Sequence, residues 1–155
     1  MDWDTSARVA PVIPPKGQRI RLLIDSDAKN EIDDQYAIAL AITSPERFAI
    51  EGFVGANYDN ARGGPDGVQK SVDEINLVLD KAGMAGHWPV LRGSDPMQYQ
   101  FQPSPSEGVD FLIERAMANA RAEGARRFVA NAHYRADQLL AHFGGLLKVN
   151  REAEL

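Results

Sequence analysis

Apolar residues in this chain come as short contiguous runs alternating with stretches in which they recur at three- and four-residue steps. Arg19 to Ile24, with Leu22, Leu23 and Ile24 adjacent, reads as a β-strand. Pro11, Pro14, Pro15 and Gly17 block regular structure before it, so residues 1–18 read as a lead-in. Tyr36-Ala-Ile-Ala-Leu-Ala-Ile42 is helix-like, and Ser44-Pro45 ends it at about Thr43. Phe48 to Gly55 is a second strand, running out into Ala56-Asn57. Gly63, Gly64, Pro65 and Gly67 mark a loop over residues 58–67. Val68, Val72, Ile75, Val78, Leu79 and Ala82 then predict a helix that Gly83 and Gly86 stop. Trp88 to Arg92 is a short third strand with Pro89 near its start. A long polar loop over 93–108 carries Pro96, Pro103 and Pro105. Val109, Leu112, Ile113, Ala116 and Ala120 predict the next helix, stopped by Gly124. Arg127 to Ala130 is a weak fourth strand, and Ala136 to about Phe143 a last short helix.

Strands alternating with helices imply right-handed βαβ units and a parallel sheet, hence an α/β fold. Such sheets bind ligands beyond the carboxyl ends of their strands. The segment after Ile24 and the Asn57 turn both leave carboxyl ends, so they should be neighbours in space.

Composition narrows the partners. The chain has 155 residues, the size of one domain; 44% are hydrophobic and 25% charged, as in an ordinary globular protein. A net charge of −5 without a basic run argues against nucleic acid or an anionic membrane surface as partner. The absence of cysteine excludes disulfides, thiolate catalysis and Cys-based zinc sites. No apolar stretch approaches the ~20 residues of a membrane span. The acidic start Met1-Asp-Trp-Asp has no apolar core of a signal peptide, so the expectation is a cytoplasmic protein. An uncovered sheet edge would invite a homo-oligomer.

The candidate chemistry lies in Asp25-Ser-Asp-Ala-Lys-Asn-Glu-Ile-Asp-Asp34, where four aspartates and a glutamate fall within ten residues. Carboxylates gathered at a strand–helix junction repel one another unless something cationic, or a polyol donating hydrogen bonds, joins them. All-oxygen ligands suit a hard cation, Ca²⁺ or Mg²⁺. The bland alternative is a solvated acidic turn, with Asp33 and Asp34 supplying charge to a helix N-terminus. An EF-hand does not fit: counted from Asp25, Asn30 stands where its glycine belongs and Tyr36 where its bidentate glutamate belongs. Lys29 and Glu31 read as solvent-facing neighbours that pair loosely. His87, His133 and His142 show no ligand spacing. Trp88, Tyr99 and Phe101 are aromatic groups of the kind that stack on a planar ring or pack in the core, and Tyr58 and Asp59 read as ordinary loop residues or as the edge of a pocket.

A strand followed by Asp25-x-Asp27 resembles the opening of haloacid-dehalogenase-type phosphatases, which implies Asp25 as nucleophile and Asp27 as acid. Lys29 departs from that pattern, and Asp33-Asp34 gain no role in it. A fuller match exists. Asp25-x-Asp27, a spacer, Asp33-Asp34 and an alanine-rich helix resemble the inosine–uridine-preferring nucleoside hydrolase family, in the variant with two extra spacer residues. Gly55-Ala-Asn57 and Pro89-Val-Leu-Arg-Gly93 are similar to its next two strands, so the resemblance spans roughly residues 19–122. It implies a parallel-sheet, Rossmann-like nucleoside hydrolase fold truncated to its N-terminal half, because the family's chains run to about twice this length. Residues from about 125 onward do not follow the family. The implied activity is cleavage of the N-glycosidic bond of a ribonucleoside with a Ca²⁺-activated water. The implied roles are Asp27 as calcium ligand and general base, Asp34 as second calcium ligand, Asp33 and Asn57 as ribose-hydroxyl partners, and Asp25 as support for the loop. The competing expectation is a remnant that binds metal or ribose without catalysis.

Overall fold

The computed structural model describes residues 14–58, 64–95, 105–122, 129–132 and 148–151. The chain divides into two compact units, Met1–Leu112 and Ile113–Leu155. The expected helix over 136–143, and His133, His142, Asp59, Tyr99 and Phe101, lie outside the described residues.

In the first unit β1 (Ile20–Ser26) leads to α1 (Asp33–Ile42), β2 (Phe48–Gly55), a 3₁₀ turn (Gly64–Asp66), α2 (Gly67–Lys81), β3 (Val90–Arg92) and the first turns of α3 (Glu107–Ala122). The strands form a parallel sheet in the order β1-β2-β3. The architecture is α/β, as the alternating pattern predicts. β1 extends two residues beyond the expected end: Asp25 pairs with Val54 and Ser26 with Gly55. Polar residues enter the strand there because the ladder bonds its backbone whatever its side chains.

The register holds one irregularity. Leu22 faces Ile50 but Leu23 faces Gly52, which leaves Glu51 as an extra residue in β2, with its carboxylate paired to Arg21. Ile50 and Phe53, three apart, consequently pack against the same core.

That core lies between the sheet and α1 and α2. Ala28, Ile38, Phe53 and Ile75 are fully buried, and Leu79 is 1% exposed. Each large apolar side chain buried this way contributes about 1.5–3 kcal/mol. α2 follows the helical pattern, with Val68, Val72, Ile75 and Leu79 inward and Gln69, Asp73, Asn76 and Asp80 outward. It approaches β2 so closely that a Cβ on Gly55 would lie 2.6 Å from Val72 Cγ2. α1 is different: Ile38, Ala41 and Ile42 face inward, while Ile32, Tyr36 and Leu40 remain exposed. On the other side of the sheet, Phe111 of α3 packs over Gly52. Trp88 meets Phe53 edge-on, with ring centroids 6.0 Å apart, and packs against the core at the amino end of β3.

In the second unit, β4 (Val129–Ala132) pairs in parallel with β5 (Lys148–Arg151). The sequence pattern did not announce β5, because Lys148-Val-Asn-Arg151 is polar and short. Among the described residues, no helix is long and apolar enough to cross a membrane.

Candidate functional site

The carboxyl ends of the three strands lie side by side. Ala56 N–H donates to Ser26 C=O at 2.8 Å, and Gly93 N–H to Gly55 C=O at 2.9 Å. Asp27 follows Ser26 and Asn57 follows Ala56, so the two expected chemical residues are the next residues on adjacent strand ends. This is the juxtaposition that strand order β1-β2 requires.

A turn shapes the acidic loop. Asn30 N–H donates to Asp27 C=O at 2.7 Å, and the Asn30 side-chain amide donates to Asp27 Oδ2 at 3.0 Å. Ala28, fully buried in the core, pins the turn from beneath. These two bonds fix one carboxylate oxygen of Asp27. Asp34 is held from the strand: Ser26 Oγ donates to its Oδ1 at 2.6 Å. A hydrogen bond to an ionised carboxylate is shorter and about twice as strong as a neutral one. Ser26, 6% exposed, points to the α1 side of the sheet, and the adjacent strand residue Asp25 to the opposite side. Partial desolvation, and then the charge of Asp27, raise the Asp25 carboxyl above the ordinary aspartate value. Asp33 is exposed in the first turn of α1.

Lys29 does not pair with Glu31. Its ammonium donates to Glu74 Oε2 of α2 at 2.5 Å, and Gln35 Nε2 donates to Glu74 Oε1 at 2.9 Å. Lys29 first and then Gln35 hold the Glu74 carboxyl below its usual range, and Glu74 raises the lysine. A surface pair reached over 45 residues carries no local sequence signal, whereas the i, i+2 neighbour does. The loop is thereby tethered to α2 as well as to α1.

Asn57 sits beneath the N-terminus of α2. Its Oδ1 is buried without a hydrogen-bond partner among the described residues, and an ideal Cβ on Gly67 would lie 2.6 Å from it. A buried acceptor left unpaired costs about 1–3 kcal/mol. Tyr58 is buried, and Trp88 packs at the opposite end of the strands from Asp27, which removes it as a base-stacking residue at this site.

Sequence reasoning missed Ser26 and Asn30. Both stand inside the motif; the i, i+3 spacing of Asp27 and Asn30 is that of a side-chain-bonded turn, and Ser26 opposite Asp34 follows once β1 runs to Ser26.

The donor chemistry suits a hard cation, since every candidate ligand is an oxygen. Its number is small: among the described residues, no three acidic or histidine side chains form a group that could hold a metal ion. Asp27 Oδ1 and Asp34 Oδ2 are the oxygens left over by the bonds to Asn30 and Ser26. No protein-family model, curated protein or solved structure matches the chain.

Proposed function

We propose that the chain carries the aspartate half of a site that hydrolyses the N-glycosidic bond of ribonucleosides, on a nucleoside-hydrolase-like α/β fold in the cytoplasm. The observation that carries the reading is the Ser26–Ala56 backbone bond, which makes Asp27 and Asn57 neighbours beyond two parallel strands. Asp27, oriented by Asn30, takes the proton of the water that attacks the anomeric carbon. Asp33 and Asn57 bind ribose hydroxyls. Developing positive charge on the ring is stabilised by the neighbouring carboxylates, while Asp25 supports the loop. Calcium held by Asp27 and Asp34, when bound, supplies a positive centre that acidifies a water and orients a diol.

The test is incubation with inosine or uridine and Ca²⁺, with free reducing sugar as readout. Sugar release that Asp27→Asn abolishes, with the fold intact by circular dichroism, supports hydrolysis. Release unchanged in Asp27→Asn removes Asp27 as base. Phosphate-ester hydrolysis that needs Mg²⁺ and Asp25 would replace this reading with the phosphatase one. A second reading, binding without hydrolysis, is favoured by the small number of acidic ligands. It is distinguished by a calcium-dependent rise in melting temperature without sugar release.

A further inference from the structure

α1 has two apolar faces, and only one of them is used. Ile38, Ala41 and Ile42 fill the core, yet Ile32, Tyr36 and Leu40 are 69%, 70% and 64% exposed, and Leu77 of α2 beside them is 46% exposed. A helix that is apolar all round belongs in an interior. Next to this stripe runs a groove of about 590 Å³ between α1 and α2, from Gln35 and Glu74 at one end to Thr43 and Lys81 at the other. It lies on the flank of α1, apart from the strand ends that carry Asp27.

Three properties identify what covers it. The stripe is symmetric about its centre: Ile32 and Leu40 stand one helical turn either side of Tyr36, on the same ridge. An antiparallel copy of α1 therefore sets Tyr36 against the partner's Tyr36, and Ile32 against the partner's Leu40. That is the self-complementarity of an isologous contact. The charges at the two ends are opposite. Glu31 and Asp33 flank the start of the stripe, while Lys81 borders the far end of the groove. An antiparallel arrangement brings the acidic end of one copy to the partner's Lys81; a parallel one sets like charges together. The four exposed side chains also present on the order of 500 Å² of apolar surface per copy, the upper range for a monomer. Two copies reach the ~1,000 Å² that a specific interface requires.

We propose that the protein forms a two-fold homodimer through the exposed face of α1, with Tyr36 at the axis. The inference is independent of the catalytic reading, because none of Ile32, Tyr36, Leu40, Leu77 or Lys81 belongs to the proposed site.

Sedimentation velocity of the full chain from about 1 to about 100 μM, a range bracketing micromolar affinity, should show twice the 17.0 kDa of one chain. Tyr36→Glu and Leu40→Glu, each at an exposed position, should weaken association at least about tenfold with circular dichroism unchanged. Glu31→Lys and Lys81→Glu should each weaken it, and the double reversal should restore it. A wild type that stays monomeric at the highest concentration overturns the proposal, whatever segment then covers the stripe. So does a dimer indifferent to Tyr36→Glu and Leu40→Glu, an oligomer that grows beyond two copies, or a double reversal that restores nothing.

Discussion

Replacing Gly67 by alanine tests whether the N-terminus of α2 and the Asn57 turn fit together as described. Gly67 is the first residue of α2 and is buried. Its new Cβ would lie 2.6 Å from Asn57 Oδ1 and 2.9 Å from the Tyr58 carbonyl oxygen, both closer than a Cβ tolerates. Helix propensity favours alanine by at most about 1 kcal/mol, and by less at a first position than in the interior. Overpacking against a side chain and a fixed backbone costs about 1–3 kcal/mol. The clash wins, and the net loss is about 1–2 kcal/mol. Urea unfolding followed by Trp88 fluorescence, in a Trp3→Phe background, reads this as a midpoint lower by about 0.5–1 M for a slope near 2 kcal/mol/M. Adding Asn57→Ala removes the side-chain part of the clash but not the carbonyl part, so the double-mutant cycle should show a coupling of about 0.5–1 kcal/mol. Gly64→Ala is the control. Its φ of 59° costs about 1 kcal/mol as alanine, but nothing lies within 4 Å of its Cβ, so it should not couple to Asn57. A Gly67→Ala protein as stable as wild type, or a cycle with no coupling, would refute the packing of Asn57 against α2.

Ser26→Ala removes the donor to Asp34 at a position 6% exposed, and should lower stability by about 1–2 kcal/mol at neutral pH by chemical denaturation. Because Asp25 has a raised native pKa, its ionisation opposes folding. That cost is complete above the raised value and gone below the ordinary 3.8, so Asp25→Asn should raise Tm at pH 7 and converge with wild type as pH falls through that window. Glu74 runs the opposite way: its depressed pKa gives stability that is present above 4.5 and lost as pH falls through the native value, and Glu74→Gln should blunt that acid sensitivity in a melt series. Asn30→Ala should weaken Ca²⁺ binding by calorimetry more than Lys29→Ala does, since only Asn30 bonds to Asp27.

The elements of the first unit were largely legible because their signals are local. β2 begins and ends where the apolar run does, and α2 is set by a clean three-and-four spacing closed by Gly83. The adjacency of Asp27 and Asn57 followed from topology alone: parallel strands in sequence order place their carboxyl ends together. What the sequence withheld depends on distant partners. Lys29 finds Glu74 rather than Glu31 because α2 comes to rest beside the loop, and Trp88 goes to the core because Phe53 offers it an edge. α1 misleads in a different way, since its apolar residues lie on both faces and its periodicity cannot say which face is inside.

The extra residue at Glu51 makes β2 two half-strands of opposite phase. Replacing Glu51 removes its ion pair with Arg21, and a surface pair of this kind is worth less than about 1 kcal/mol. Deleting Glu51 would pair Leu22, Leu23 and Ile24 with Ile50, Gly52 and Phe53 in one unbroken alternation, leaving Phe53 two residues from Ile50 and still facing Ile38 and Ile75. Substitution of Glu51 and its removal are therefore both compatible with the core, because the bulge takes up the extra residue instead of passing it on as a register slip. In any lineage that keeps this core, the chain between Ile50 and Phe53 can hold one residue or two, and Phe53 should face inward in both.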